Sequence, residues 1–169
     1  MVDVRLVEVG ADNWRACAAL RATEDQRRWV ADVTYYLCLC AYGDTWHPLA
    51  IEVDDDIVGF LMWGVDDDDA SRWIGGLVVD ALHQRRGIAK AAMVQAVRLL
   101  TSQEGCSGAA LSYDPDNQAA RSLYAGLGFV KTDETEDEGS EVVSRLSLSA
   151  AQELLAGGAP DSESRGDEG

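Results

Sequence analysis

Leu77-Val78-Val79-Asp80-Ala81-Leu82-His83-Gln84-Arg85-Arg86-Gly87-Ile88-Ala89-Lys90 is the stretch around which the chain is organised. An apolar run gives way to a short polar segment with two adjacent arginines. A glycine then opens an amphipathic helix. Backbone N–H groups point outward at a helix start, and the helix dipole favours negative charge there. Arg85 and Arg86 put two cations beside that point. The junction reads as a strand, an anion-binding turn and a helix.

The flanking sequence supplies matching elements. After Gly87, Ala89, Met93, Ala96, Val97 and Leu100 fall at helical spacing, so one face of that helix packs on a sheet. Upstream, Trp46 to Val53 and Ile57 to Val65 read as a hairpin around Asp54-Asp55-Asp56. Asp66 to Asp69 forms a second acidic loop, and Ser71 to Val79 reads as the next strand, with Gly75-Gly76 marking a bulge or a close approach. Val2 to Val9 reads as a first strand. A capped helix follows from Asp12 or Asn13, and a second covers Ala31 to Tyr42. Downstream come a strand over Ala109 to Tyr113 and a helix expected to start at Asp114-Pro115. Two last strands, Phe129 to Asp133 and Val142 to Leu148, flank the acidic turn Glu134 to Gly139. The order is β-α-α-β-β-β-α-β-α-β-β, an α/β (α+β) chain with a mixed, mostly antiparallel sheet flanked by helices. One domain is expected over residues 1–150. A short helix remnant and an acidic tail, read as disordered, fill 151–169.

Composition narrows the partners. The 169 residues carry a formal charge of −16. Beyond Gly157 only Asp161, Glu163, Asp167 and Glu168 stand against Arg165, so the acidity belongs to the body. Such a surface repels nucleic acid and anionic membranes and suits a cationic substrate. Cys17, Cys38, Cys40 and Cys106 form no CxxC pair, and His47 and His83 are the two histidines, so no metal site is expected. Without a basic-then-apolar leader or a long uncharged apolar segment, the chain reads as cytoplasmic with reduced thiols.

A second motif completes the first. Asn117-Gln118-Ala119-Ala120-Arg121-Ser122-Leu123-Tyr124-Ala125-Gly126-Leu127-Gly128-Phe129 lies about thirty residues beyond Gln84-Arg85-Arg86-Gly87-Ile88-Ala89. Together they resemble the GNAT superfamily of acyl-CoA-dependent N-acetyltransferases. The first resembles its Q/R-x-x-G-x-G/A pyrophosphate loop, with Ala89 in the last small position. The second resembles its Asn…Tyr…Gly-Phe segment. Two further stretches, Trp46 to Val53 with Ile57 to Met62 and Leu111 to Asn117, are similar to bacterial diamine and polyamine (spermine/spermidine) N-acetyltransferases.

The resemblance implies acetyl-CoA as co-substrate. The strand ending at Leu77, Val78 and Val79 would pair with the pantetheine arm. Gln84, Arg85, Arg86, Gly87, Ile88, Ala89 and Lys90 would wrap the pyrophosphate. Asn117 would contact the arm, and Tyr124 would be the acid that protonates the leaving thiolate. Read from the residues alone, Asn117 equally serves the helix start, and Tyr124 equally fits a core tyrosine. Surface exposure suits His83 better than catalysis does.

Acyl transfer to an amine also needs a proton acceptor, because an ammonium of pKa about 10.4 is neutral to only about four parts in ten thousand at neutral pH. Glu52 is the candidate, with Asp80 second. Backbone N–H near Val79 would serve the oxyanion. The acceptor side is expected to use Glu24, Asp25 and Glu52, within an acidic rim that adds Asp32, Asp133, Glu134, Glu136, Asp137 and Glu138. The function expected is N-acetylation of a polyamine or similar cationic amine. An antibiotic-modifying acetyltransferase and a non-catalytic acetyl-CoA-binding module are the alternatives. A homodimer is within the family's range.

Overall fold

The computed structural model describes residues 2–157. Seven strands form one sheet: β1 (Arg5–Glu8), β2 (His47–Val53), β3 (Asp56–Val65), β4 (Arg72–Val79), β5 (Gly108–Tyr113), β6 (Val130–Glu136) and β7 (Glu141–Ser147). Their spatial order is β1-β2-β3-β4-β5-β7-β6. Every neighbouring pair is antiparallel except β4 and β5. The expected mixed, mostly antiparallel sheet is what forms.

Helices cover both faces. α3 (Ile88–Thr101) and α5 (Leu148–Ala156) pack on one face, where Ile51, Leu61, Met93, Val97, Leu100 and Leu146 form the larger core. α1 (Trp14–Ala18) and α2 (Val33–Tyr42) pack on the other, over Ala50, Phe60, Met62 and Val78. The strand alternation explains this split: Leu49 and Ile51 face one core and Ala50 the other. Ala151 of α5 is 1% exposed, so the packed body runs past residue 150. The acidic tail expected beyond Gly157 lies outside the described residues.

The β2–β3 hairpin closes on Asp54 and Asp55, both at positive φ (50° and 66°), with Val53 opposite Asp56. That is the two-residue turn whose twist matches the flanking strands, and Asp tolerates its left-handed backbone. One expected boundary moves. α4 (Gln118–Gly126) starts at Asn117, not at Asp114-Pro115. Asp114 Oδ1 accepts from Asp116 N (2.9 Å), which makes a turn of the Asp-Pro step, and Asn117 Oδ1 accepts from Ala120 N (3.2 Å) as the true cap.

The element that positions the site is the β4–β5 junction. Register pairs link Arg72 to Ala109 and Trp73 to Ala110, and none follows. Beyond Trp73 the strands part. β4 also bulges there: Phe60 faces Val78 and Met62 faces Gly75, so β4 carries one residue more than β3 across that step. Gly76 absorbs the bulge at φ +61°. A Cβ there would also stand 3.3 Å from the Tyr36 ring.

Candidate active site

Where β4 and β5 part, a cavity of about 800 Å³ opens. Its donor side carries Gly75, Gly76 and Leu77 of β4 with Asn117, Ala120 and Tyr124 from the start of α4 and its middle. The β5-facing backbone of Ile74 to Val79 has no strand partner. Such an unpaired edge is a template for an extended chain with its own amides. Val78 itself is buried beneath the sheet, and Val79 O accepts from the Gln84 side chain (3.0 Å).

The turn after β4 is built to leave N–H groups free. Asp80 accepts from Leu82 N (Oδ1, 3.0 Å) and Arg21 N (Oδ2, 3.0 Å), which closes a 3-10 turn over Ala81–His83. Asp80 is therefore occupied in holding backbone. Gln84 turns inward, where its side chain and that of Gln26 exchange two hydrogen bonds (2.6 and 3.0 Å). Arg85 (φ 62°) and Gly87 (φ 75°) are left-handed, so the chain reverses twice before α3. The first helical acceptor bond runs from Ala91 N to Gly87 O (3.1 Å). The N–H groups of residues 85–90 find no acceptor among the described residues. Arg85, Arg86 and Lys90 are exposed beside them, while Ile88 is 2% exposed and anchors the helix. An array of free N–H groups at a helix start, flanked by cations, fits a diphosphate.

Tyr124 packs against Tyr113 (centroids 5.5 Å) and Phe129 (6.1 Å). Burial pushes its hydroxyl up to about 12, and the neighbouring Tyr113, Tyr36 and Glu141 add to the rise. It stays protonated at working pH and available as a donor. Asn117 Oδ1 caps α4, and the residue lines the cavity.

The acceptor side differs from the expectation. Glu52 forms an ion pair with Arg5 (2.5 Å), near the end of β2 where Val53 meets Asp56, and does not line the cavity. Glu24 and Asp25 sit in a 3-10 turn, Glu24–Gln26, that docks on Gln84, and they do not line it either. Asp32 caps α2 through Thr34 N (3.1 Å). Glu134 is held by Arg145 (2.6 and 2.7 Å). From the expected rim only Glu136 and Asp137 reach the cavity. The others that do are Asp66, Asp67, Asp114 and Glu141. Aromatic walls come from Trp29, Tyr35, Tyr36, Trp46, Trp73, Tyr113 and Tyr124. No lysine, arginine or histidine lines the cavity among the described residues.

Sequence reasoning missed Glu141, Ser112 and most of the aromatic wall. Glu141 stood at the end of an acidic turn, indistinguishable from its neighbours. Strand pairing singles it out, because Tyr113 faces Val142 and so brings the Glu141 carboxylate diagonally onto Ser112.

The parted parallel pair, the bulge and the free N–H array occur together with a sequence match. Residues 12–129 match the model of the Acetyltransferase (GNAT) family. The chain belongs to the GNAT acetyltransferase family. Acetyl-CoA is the co-substrate that its donor side fits. A spermine/spermidine N(1)-acetyltransferase of Bacillus subtilis is 24% identical over 153 residues, covering 84% of this chain and 97% of that protein. The spermidine N-acetyltransferase of Vibrio cholerae, solved with CoA and spermine, superposes with a TM-score of 0.68 at 14% identity, over 88% of this chain and 98% of that one. An aminoglycoside acetyltransferase, AAC(6')-Ib, solved with coenzyme A, superposes at 0.72 with 17% identity, over 89% and 98%. The two superpositions establish the GNAT fold. None of the described helices is long and apolar enough to cross a membrane.

Proposed function

We infer that this acetyltransferase moves the acetyl group of acetyl-CoA to a primary amine of a polyamine or similar cationic small molecule, by direct attack in a ternary complex. The carrying observation is the cavity wall: six carboxylates, seven aromatic side chains and, among the described residues, no cationic side chain. Carboxylates attract an ammonium and aromatic faces bind it once desolvated. The methylene spacers of a polyamine suit the same rings. The names of the Bacillus and Vibrio relatives are consistent with this reading.

The geometry supports the following chemistry. The amine nitrogen attacks the thioester carbonyl carbon, a C–N bond forms, and the C–S bond breaks. Free backbone N–H of β4 would steady the oxyanion. Tyr124 would donate its hydroxyl proton to the departing sulfur and regain one from the acylated nitrogen, because a phenol near 12 cannot simply ionise to serve a thiolate of pKa about 8.5. Arg85, Arg86 and the N–H groups of residues 85–90 would hold the diphosphate. A cytoplasmic setting and a homodimer complete the reading. All four cysteines are free, and light scattering reports the oligomeric state.

A second reading, acetylation of an aminoglycoside-like polycation, draws on the same wall and on the likeness to the aminoglycoside enzyme. Acetyl-CoA turnover with spermine, spermidine, diamines, aminoglycosides and amino acids separates them. Polyamine turnover well above the rest is expected. Turnover confined to aminoglycosides or amino acids overturns the polyamine reading, and CoA binding without turnover of any amine leaves a non-catalytic binding module.

A further inference from the structure

The reaction needs a group that takes the ammonium proton, and Glu52 is committed to Arg5. We propose that Glu141, held by Ser112, is the catalytic residue that accepts that proton. The assignment rests on the amine-acetylating reading above and adds to it the residue that makes the nucleophile.

Three observations meet at Glu141. It is half-buried and lines the same cavity as Tyr124 and Asn117. Ser112 Oγ donates to its Oε2 at 2.6 Å, so a neutral donor orients the carboxylate and no cation neutralises it among the described residues. It starts β7 beside the end of β5, on the edge where β4 has already parted from β5. The other cavity carboxylates sit on turns: Asp66 and Asp67 between β3 and β4, Asp114 after β5, Asp137 in the β6–β7 turn. Glu136 ends the edge strand β6, opposite Glu141.

The proton balance is simple. The ammonium R–NH3+ gives one proton to the Glu141 carboxylate, either directly or through the Ser112 hydroxyl, which passes its own proton on. The resulting R–NH2 carries the lone pair that attacks the thioester. Glu141 then returns its proton to solvent, so each turnover releases one proton with the acetamide and the thiol. The titratable groups that line the same cavity are Tyr35 and Tyr36 from α2, Asp66 and Asp67 from the β3–β4 turn, Tyr113 and Asp114 from β5 and its end, Tyr124 from α4, and Glu136 and Asp137 from the hairpin. None is a cation.

The test compares wild type with Glu141→Gln, Glu141→Asp and Ser112→Ala, using spermidine and the panel amine that turns over fastest. With a carboxylate base, wild-type kcat/KM stays level between about pH 7 and 9, since the ammonium is the form consumed. Glu141→Gln is expected to lose on the order of 100-fold at neutral pH. It should also rise about tenfold per pH unit toward the amine pKa of about 10.4, because only free amine then reacts. Glu141→Asp should recover part of the rate, and Ser112→Ala should lose less than Glu141→Gln. Acetyl-CoA binding by calorimetry is expected to match wild type in each, which reports an intact fold. If Glu141→Gln keeps wild-type kcat/KM and the level pH profile while polyamines turn over, the assignment falls and the functional reading stands. If wild type neither acetylates nor binds any amine of the panel, both fall.

Discussion

At the scale of single residues, the site pairs an electrophile side with a nucleophile side through groups of opposite character. Tyr124 is a protonated phenol whose burial raises it further, and Glu141 accepts from a neutral donor, Ser112. Tyr124→Phe removes a hydroxyl and little else. Its kcat is expected to fall on the order of 100-fold, with the acetyl-CoA dissociation constant unchanged in calorimetry. Equal kcat in the two proteins would make Tyr124 a packing residue, one of the two roles its sequence position allowed.

At the scale of elements, two polar knots set where the strands part. Arg72, 7% exposed, holds the closed end of the β4–β5 pair. Its Nε donates to Gln103 Oε1 (2.7 Å), and its terminal nitrogens donate to Ala70 O (2.7 Å) and Glu104 O (3.3 Å), just past the end of α3. A cation there also meets the negative end of the α3 dipole. Arg72→Met takes the donor from Gln103 Oε1 and Glu104 O, while Ala70 O keeps Ser107 N (3.2 Å), and is expected to cost about 1–3 kcal/mol in urea unfolding. A loss below about 0.5 kcal/mol would show the knot to be ornamental. The second knot ties the β6–β7 hairpin to the β3–β4 turn, with Arg145 bridging Glu134 and Asp69 (2.6 and 2.9 Å). Arg145 lowers Glu134 below the ordinary carboxylate range, with Thr132 helping. The Ser71 hydroxyl and N–H lower Asp69, with Arg145 adding to them. Both carboxyls bind protons more weakly folded than unfolded, so their stabilisation is present at neutral pH and fades as acid titrates them, starting near pH 4.5. Arg145→Met should show a shallower fall in melting temperature between about pH 5 and 3 than wild type. Exposure of both carboxylates keeps the effect modest.

At the scale of the whole molecule, charge is sorted in space. A chain of formal charge −16 keeps Arg85, Arg86 and Lys90 at the turn after β4, and among the described residues no cationic side chain lines the cavity. On the proposed function, a cationic acceptor and the anionic donor would approach different regions of the surface. Raising the salt from about 20 to 300 mM shortens the screening length severalfold. The KM for spermidine is expected to rise several-fold over that range, with kcat little changed. A salt-independent KM would mean that contact hydrogen bonds, rather than the field of the cavity, govern the encounter.

Sequence by itself determined the order of elements, and it put forward the turn from Gln84 to Lys90 as an anion site, Asn117 as a helix cap or arm contact, and Tyr124 as the acid. Those features are local: hydrophobic period, cap chemistry and glycine at a left-handed position act over a few neighbouring residues. Which carboxylates line the cavity was decided only by tertiary structure. Glu52, Glu24 and Asp25 carry the right charge but are drawn off, the first by Arg5 and the other two onto a turn docked at Gln84. Glu141 and Ser112 lie 29 residues apart and meet only through the pairing of β5 with β7. An acidic chain offers many carboxylates at similar local cost. Which one stands without a cation beside the open edge of β4 follows from strand register and the parting of one parallel pair, and both are non-local.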